Sequence, residues 1–219
     1  MKPVRKIRIS NRSITGRRPS AKTNVSQQTE SALERDYLIL LEYDESVSDY
    51  GVQPLTIHYI NDGVAARYTP DVLVHYYPQF KRKPTLVEVK YESELIEKKD
   101  FFAARFKAAN EYARQNGYEF RITTDKMIRT EYLWNVKFLS GYLIPPIEEQ
   151  YELLVSKQFK GNLQLTPLNL TKDGNDHTRG RLLYTVWQML AAKKLACDLT
   201  QKITMQTLLW INPVLRSSL

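Results

Sequence analysis

Asp71-Val72-Leu73-Val74-His75-Tyr76-Tyr77, the basic loop Lys81-Arg82-Lys83-Pro84, and Thr85-Leu86-Val87-Glu88-Val89-Lys90 are the stretches on which the fold turns. Both apolar runs are rich in β-branched and aromatic residues and read as strands. Thr69-Pro70 interrupts the chain just ahead of the first, since proline lacks the backbone donor that a ladder needs. Upstream, Val52 to Tyr59 and Val64 to Tyr68 flank Asn61-Asp62-Gly63, the turn signal of a β-hairpin. Downstream, Leu95, Phe102, Phe106, Ala109 and Ala113 recur at helical spacing, which predicts a helix from Ser93 to Asn116 with Gly117 as its C-terminal cap. Tyr118 to Thr123 reads as one more strand. Strands, a long helix and a further strand in that order predict a right-handed crossover and an α/β architecture with a mixed sheet flanked by helices.

Moving outward, Leu33, Tyr37, Leu40 and Leu41 predict an amphipathic helix over about residues 28 to 43, with Glu30 and Glu34 among its acids. Ser31-Ala32-Leu33-Glu34 also matches a capping box, but helix-forming residues from Gln27 onward argue against a start at Ser31. At the other end, Leu143-Ile144-Pro145-Pro146-Ile147 breaks the pattern, and the paired prolines suggest a domain boundary. Beyond it, helices around Ile147, Tyr151 and Leu154 and over His177 to Lys194 precede a hairpin of Leu195 to Leu199 with Thr207 to Trp210. This order predicts a winged-helix-like module. The expected organisation is therefore a basic arm at 1–25, a catalytic domain at 26–146 and a winged-helix-like domain at 147–219.

The net charge of +8 in 219 residues sits at the front. Residues 1 to 29 hold eight Lys and Arg and no acid, and the remainder is balanced. Such a segment cannot offset its own ordering entropy by burial, and it suits a phosphate backbone, where each cation releases condensed counterions. No apolar run approaches the ~20 residues that span a bilayer. The single Cys197 cannot form an internal disulfide, and no apolar stretch follows the basic N-terminus as a secretory signal requires. A soluble cytoplasmic protein without membrane contact is expected.

The chemistry concentrates in Pro70-Asp71, sixteen residues, then Glu88-Val89-Lys90. Alternation along a strand puts Glu88 and Lys90 on one face. If the two strands are neighbours, Asp71 joins them. Two carboxylates with the Val89 main-chain carbonyl make a hard oxygen site suited to Mg²⁺, with Mn²⁺ expected to substitute. A lysine beside it can orient the attacking water, help it lose a proton, and stabilise charge growing on phosphoryl oxygens. The implied reaction is metal-assisted phosphodiester hydrolysis. Glu34 is a third carboxylate candidate for the metal set. No His/Cys cluster has zinc-ligand spacing. Gln53 and His58 are placed on the first hairpin strand, where Gln53 either hydrogen-bonds near the active site or is a buried amide satisfied by backbone, and neither is counted as catalytic; His75 is read as structural and His177 as a helix cap or solvent-facing.

With these motifs in hand, residues about 20 to 130 resemble the TnsA endonuclease subunit of heteromeric transposases, a member of the restriction-endonuclease-like fold. The matching elements are Thr29 to Tyr37, Val47 to Pro54, Tyr68 to Val74, Leu86 to Lys90, and Thr124-Asp125-Lys126. The resemblance places the family's helix glutamate on Glu34, its metal-binding aspartate on Asp71, its next metal position on Glu88 and its lysine on Lys90. Some members carry glutamine at the Glu88 position, so the glutamate here departs toward the wider nuclease motif. The resemblance further implies cutting of the 5′ strand at transposon ends, a TnsB-like transposase for the 3′ strands, and a TnsC-like ATPase contacting the C-terminal domain. Rival readings are a stand-alone restriction or repair nuclease or junction resolvase, and a catalytically silent adaptor that binds DNA and the ATPase.

Overall fold

A computed structural model of the chain describes residues 16–18, 22, 23, 27–29 and 31–213. Most of the basic arm expected at 1–25 lies outside the described residues. The chain forms two compact units, which divide after Arg129.

In the first unit, β1 (Gly16–Arg18) pairs antiparallel with β2 (Gln27–Thr29), and α1 (Ala32–Tyr43) follows. The helix thus starts later than the expected residue 28. Ser31 takes an extended conformation, and its side-chain oxygen accepts the Glu34 N–H at 3.1 Å, so a cap sets the boundary that upstream helix formers argued against. At the far end, the Lys22 ammonium donates to the carbonyls of Leu41, at 2.8 Å, and Asp44. One lysine counted in the basic arm is therefore engaged at a helix C-terminus, where unpaired carbonyls favour a cation.

The next strands are β3 (Val47–Val52), β4 (Ile57–Asn61), β5 (Val64–Tyr68), β6 (Val72–Tyr76) and β7 (Thr85–Lys90). Pro54 breaks the single run expected from Val52 to Tyr59: Gln53 turns into the left-handed region at φ 46°, ending β3 before the hairpin begins. Strands β4 and β5 pair around Asp62 (φ 50°) and Gly63 (φ 80°), a two-residue turn with both residues left-handed, the arrangement that matches strand twist.

After β7 come α2 (Glu92–Glu97), α3 (Lys99–Gln115), β8 (Glu119–Thr124) and α4 (Asp125–Ile128). The long helix expected from Ser93 is broken at Lys98, and Gly117 (φ 71°) turns the chain out of α3 as expected. The main sheet has the order β3-β6-β7-β8, antiparallel except for the parallel pair β7 and β8 that the α3 crossover makes possible. Both faces are covered: α1 packs against β7 on one side, while Leu73 and Leu86 meet Ala113 of α3 on the other. Val72, Leu73, Val74 and Thr85 to Val89 are accordingly buried without alternation. This mixed sheet with flanking helices fits a restriction-endonuclease-like fold.

The second unit holds α5 (Glu131–Ser140), α6 (Glu149–Gln158), α7 (Pro167–Leu170), α8 (Asp176–Ala191), and the short antiparallel pair β9 (Leu195–Ala196) with β10 (Trp210–Ile211). Helix α8 packs against α5, α6 and α7. Division after Arg129 lies upstream of the expected 146/147. The buried Asn135 explains why: its amide donates to the Leu199 and Gln201 carbonyls at 2.9 and 2.7 Å and accepts from the Ile203 N–H at 3.2 Å, tying α5 to the C-terminal loop. The paired prolines belong inside this unit, with Gln188 of α8 donating to the Pro145 carbonyl at 2.7 Å. Among the described residues, no helix is long and apolar enough to cross a membrane.

Candidate active site

The register of the sheet brings the charged residues together. Pairing of Val72 with Val87 and of Val52 with Val72 sets Asp71, just ahead of β6, between the ends of β3 and β7. Its main-chain carbonyl accepts the Gln53 N–H at 2.8 Å, and its Oδ2 accepts the Val89 N–H at 2.8 Å. The aspartate is therefore held from both neighbouring strands. On β7, Glu88 and Lys90 share a face as alternation predicts, and the Lys90 Nζ lies 2.9 Å from Glu88 Oε1 and 3.4 Å from Asp71 Oδ2. It also donates to the Val89 carbonyl at 3.2 Å.

This face is not a solvated ladder. The Glu88 and Asp71 side chains are 5% and 15% exposed. Burial, then the Glu88 charge, pushes the Asp71 carboxyl up to about 7, against the opposing pull of Lys90 and the Val89 N–H. Burial acts to lower the Lys90 pKa, but the two carboxylates outweigh it and hold the ammonium above the usual lysine range. The cluster is short of positive charge even with its lysine in place.

Three oxygens, from Asp71, Glu88 and the Val89 carbonyl, therefore converge on one cationic point, the Lys90 ammonium. That donor set is all hard oxygen, and its chemistry fits a small divalent cation with its remaining positions left to water and phosphate oxygens. Among the described residues, no group of three or more His, Cys, Asp and Glu side chains is gathered to hold a metal. Glu34 is thus not gathered with Asp71 and Glu88 into such a group; it lies on the first turn of α1, buried at 9% exposure, on a helix that packs against β7.

Two participants went unassigned in the sequence reading. The Tyr68 hydroxyl, at the end of β5, donates to Glu88 Oε2 at 2.5 Å. Burial and the neighbouring Glu88 charge push its phenol well above the usual tyrosine range. Asp125, quoted only as part of Thr124-Asp125-Lys126, accepts the Glu92 N–H at 2.8 Å and so fixes the chain just past Lys90. Its place follows from the parallel pairing of Lys90 with Thr124. A hydrogen-bond donor ahead of Pro-Asp and an acid after the last strand are the only signals the sequence offered. His58 and His177 are exposed, and His75 is half-buried on β6.

No curated protein matches the chain. Residues 44–125 match the family model described as TnsA-like endonuclease N terminal, a span that contains Asp71, Glu88 and Lys90 and begins after Glu34. This part of the chain, from just ahead of β3 to the start of α4, is similar to a TnsA-like endonuclease N-terminal domain.

Proposed function

We propose that the chain is the metal-dependent DNA endonuclease subunit of a heteromeric transposase, hydrolysing the 5′ strand at transposon ends during cut-and-paste transposition. The observation that carries this reading is the convergence of Asp71, Glu88 and the Val89 carbonyl on one cation, inside the span that matches a TnsA-like endonuclease. In this reading Asp71, Glu88 and the Val89 carbonyl would hold Mg²⁺, or Mn²⁺ in its place, and Glu34, which is not gathered with them as a direct ligand, would complete the water shell. The bound ion supplies Lewis-acid stabilisation of phosphoryl oxygens and a more acidic water.

The protein's own groups do the rest. The Val89 N–H holds the Asp71 carboxylate through Oδ2, and the Tyr68 hydroxyl donates to Oε2 of Glu88. Lys90, relieved of its two carboxylates when they ligate a cation, serves the nucleophile: it donates to the attacking water or to the oxygens on which negative charge grows. The basic residues of the first 29 positions other than Lys22 contact phosphates, which position a protein without reading sequence. Recognition of the transposon end then falls to a TnsB-like transposase. The second unit, helices α5 to α8 followed by a short strand pair, serves as a winged-helix-like module for a TnsC-like ATPase.

The test is a strand-resolved cleavage assay on transposon-end DNA with Mg²⁺, comparing the native chain and Asp71→Ala, each with and without the cognate transposase. Partner-dependent cutting of the 5′ strand, lost in the variant, is the expected result. Cleavage retained by Asp71→Ala sinks the site. Cutting without the partner points to a stand-alone nuclease, and silence in every mixture points to an adaptor.

A further inference from the structure

We infer that Tyr68 is a positioning residue for the metal-binding carboxylate of Glu88, holding it so that one oxygen alone faces Asp71; this rests on the endonuclease reading above. Glu88 is 4% exposed, and each of its oxygens has its own partner: Oε1 meets the Lys90 ammonium at 2.9 Å and Oε2 accepts the Tyr68 hydroxyl at 2.5 Å. The two partners come from opposite sides of the carboxylate's duty. Lys90 shares Oε1 with the Asp71 and Val89 oxygens that would hold a cation, while Tyr68 touches none of those atoms.

The tyrosine is itself fixed. It is 6% exposed, pairs with Ile57 across the hairpin, and packs in a cluster with Ile57 and Ala109 of α3. A donor anchored that way sets the plane of the carboxylate. Without the hydroxyl, Glu88 is free to tip both oxygens toward the Lys90 ammonium, and a carboxylate closed on a lysine is a poorer metal ligand. Ligating carboxylates are commonly held by such a hydrogen bond, and its loss typically costs 10–100-fold in metal affinity or activity. Tyr68 ends β5, so the bond also makes the hairpin a structural part of the metal site rather than an appendage to the sheet.

The experiment is a titration of the full chain with Mn²⁺ alone, without DNA, followed by electron paramagnetic resonance of the free ion. Four proteins are compared: native, Tyr68→Phe, Asp71→Ala, and Tyr59→Phe as a hairpin control that packs on the same cluster. Circular dichroism and a cooperative melt check that each is folded. The expected result is a Kd raised about tenfold or more in Tyr68→Phe, no binding in Asp71→Ala, and native affinity in Tyr59→Phe. Native affinity in Tyr68→Phe, with Asp71→Ala still unable to bind, overturns the role of Tyr68 and leaves the endonuclease reading standing. Absence of binding by the native chain, or binding untouched by Asp71→Ala, overturns the site and this inference with it.

Discussion

Two groups of opposite charges in the first unit are built at nearly the same distance and behave differently. At the end of β7, Lys90 lies 2.9 Å from Glu88, with side chains 21% and 5% exposed; on α3, Arg114 lies 2.8 Å from Glu111, with side chains 75% and 49% exposed. On α3 the hydrogen bond from Arg114 lowers the Glu111 carboxyl, and solvent and salt screen the rest. At β7, burial comes first: it raises the Asp71 carboxyl to about 7 and ties its charge to those of Glu88 and Lys90. Pairing distance is thus a poor guide to what a charge does. Removal from water makes each group's state depend on its neighbours, and that dependence is what a catalytic site requires.

The comparison can be broken most decisively at Lys90. Replacement by Met leaves two buried carboxylates without their cation, and the expected loss is about 3 kcal/mol of stability at pH 8, read by urea denaturation. An unchanged midpoint would place the cluster in the same class as the α3 pair. A smaller effect is expected from pH. The Asp71 carboxyl, at 3.8 when unperturbed and about 7 in the folded chain, makes the native state hold the extra proton between those values, so stability falls as pH rises through that window. The metal-free native chain should lose roughly 2 kcal/mol between about pH 5 and pH 6.5, inside this window, relative to Asp71→Asn, whose melting curve should show the flatter dependence. Asp125→Ala removes the acceptor for the Glu92 N–H and should cost about 1 kcal/mol, with the loosened segment after Lys90 seen as faster amide exchange. Arg114→Ala, at the exposed end of the scale, should leave the melting temperature where it is; a clear drop would show that exposure does not separate the two settings.

The parts of the fold that could be read in advance are those where one local pattern has one outcome. Val72 to Val74 and Leu86-Val87 are uninterrupted apolar runs because helices cover both faces of the sheet, and such runs announce strands. Asp71, Glu88 and Lys90 follow from strand alternation plus adjacency. The start of α1 went astray because propensity upstream of Ser31 pointed to helix, while a single side-chain cap and pairing of β2 with β1 decided otherwise. Tyr68 was out of reach for a different reason: its contact with Glu88 spans 20 residues and depends on how the hairpin packs against α3, which no local periodicity encodes. In the second unit, α5 mixes aromatic and apolar residues around its circumference, and its assignment rests on the long-range bonds of Asn135.

The bond from the Val89 N–H to Asp71 also bears on which insertions the chain can accept. Pro78 to Pro84, between β6 and β7, is largely exposed, so residues added there lengthen a surface turn and leave the pairing of Val72 with Val87 untouched. One residue added between Thr85 and Glu88 slips the strand by a single step and turns Glu88 and Lys90 onto the face packed against α1. The sixteen-residue gap after Asp71 is therefore elastic, whereas the single residue between Glu88 and Lys90 is rigid. Length variation in descendants of this sequence should collect in the first interval and stay out of the second.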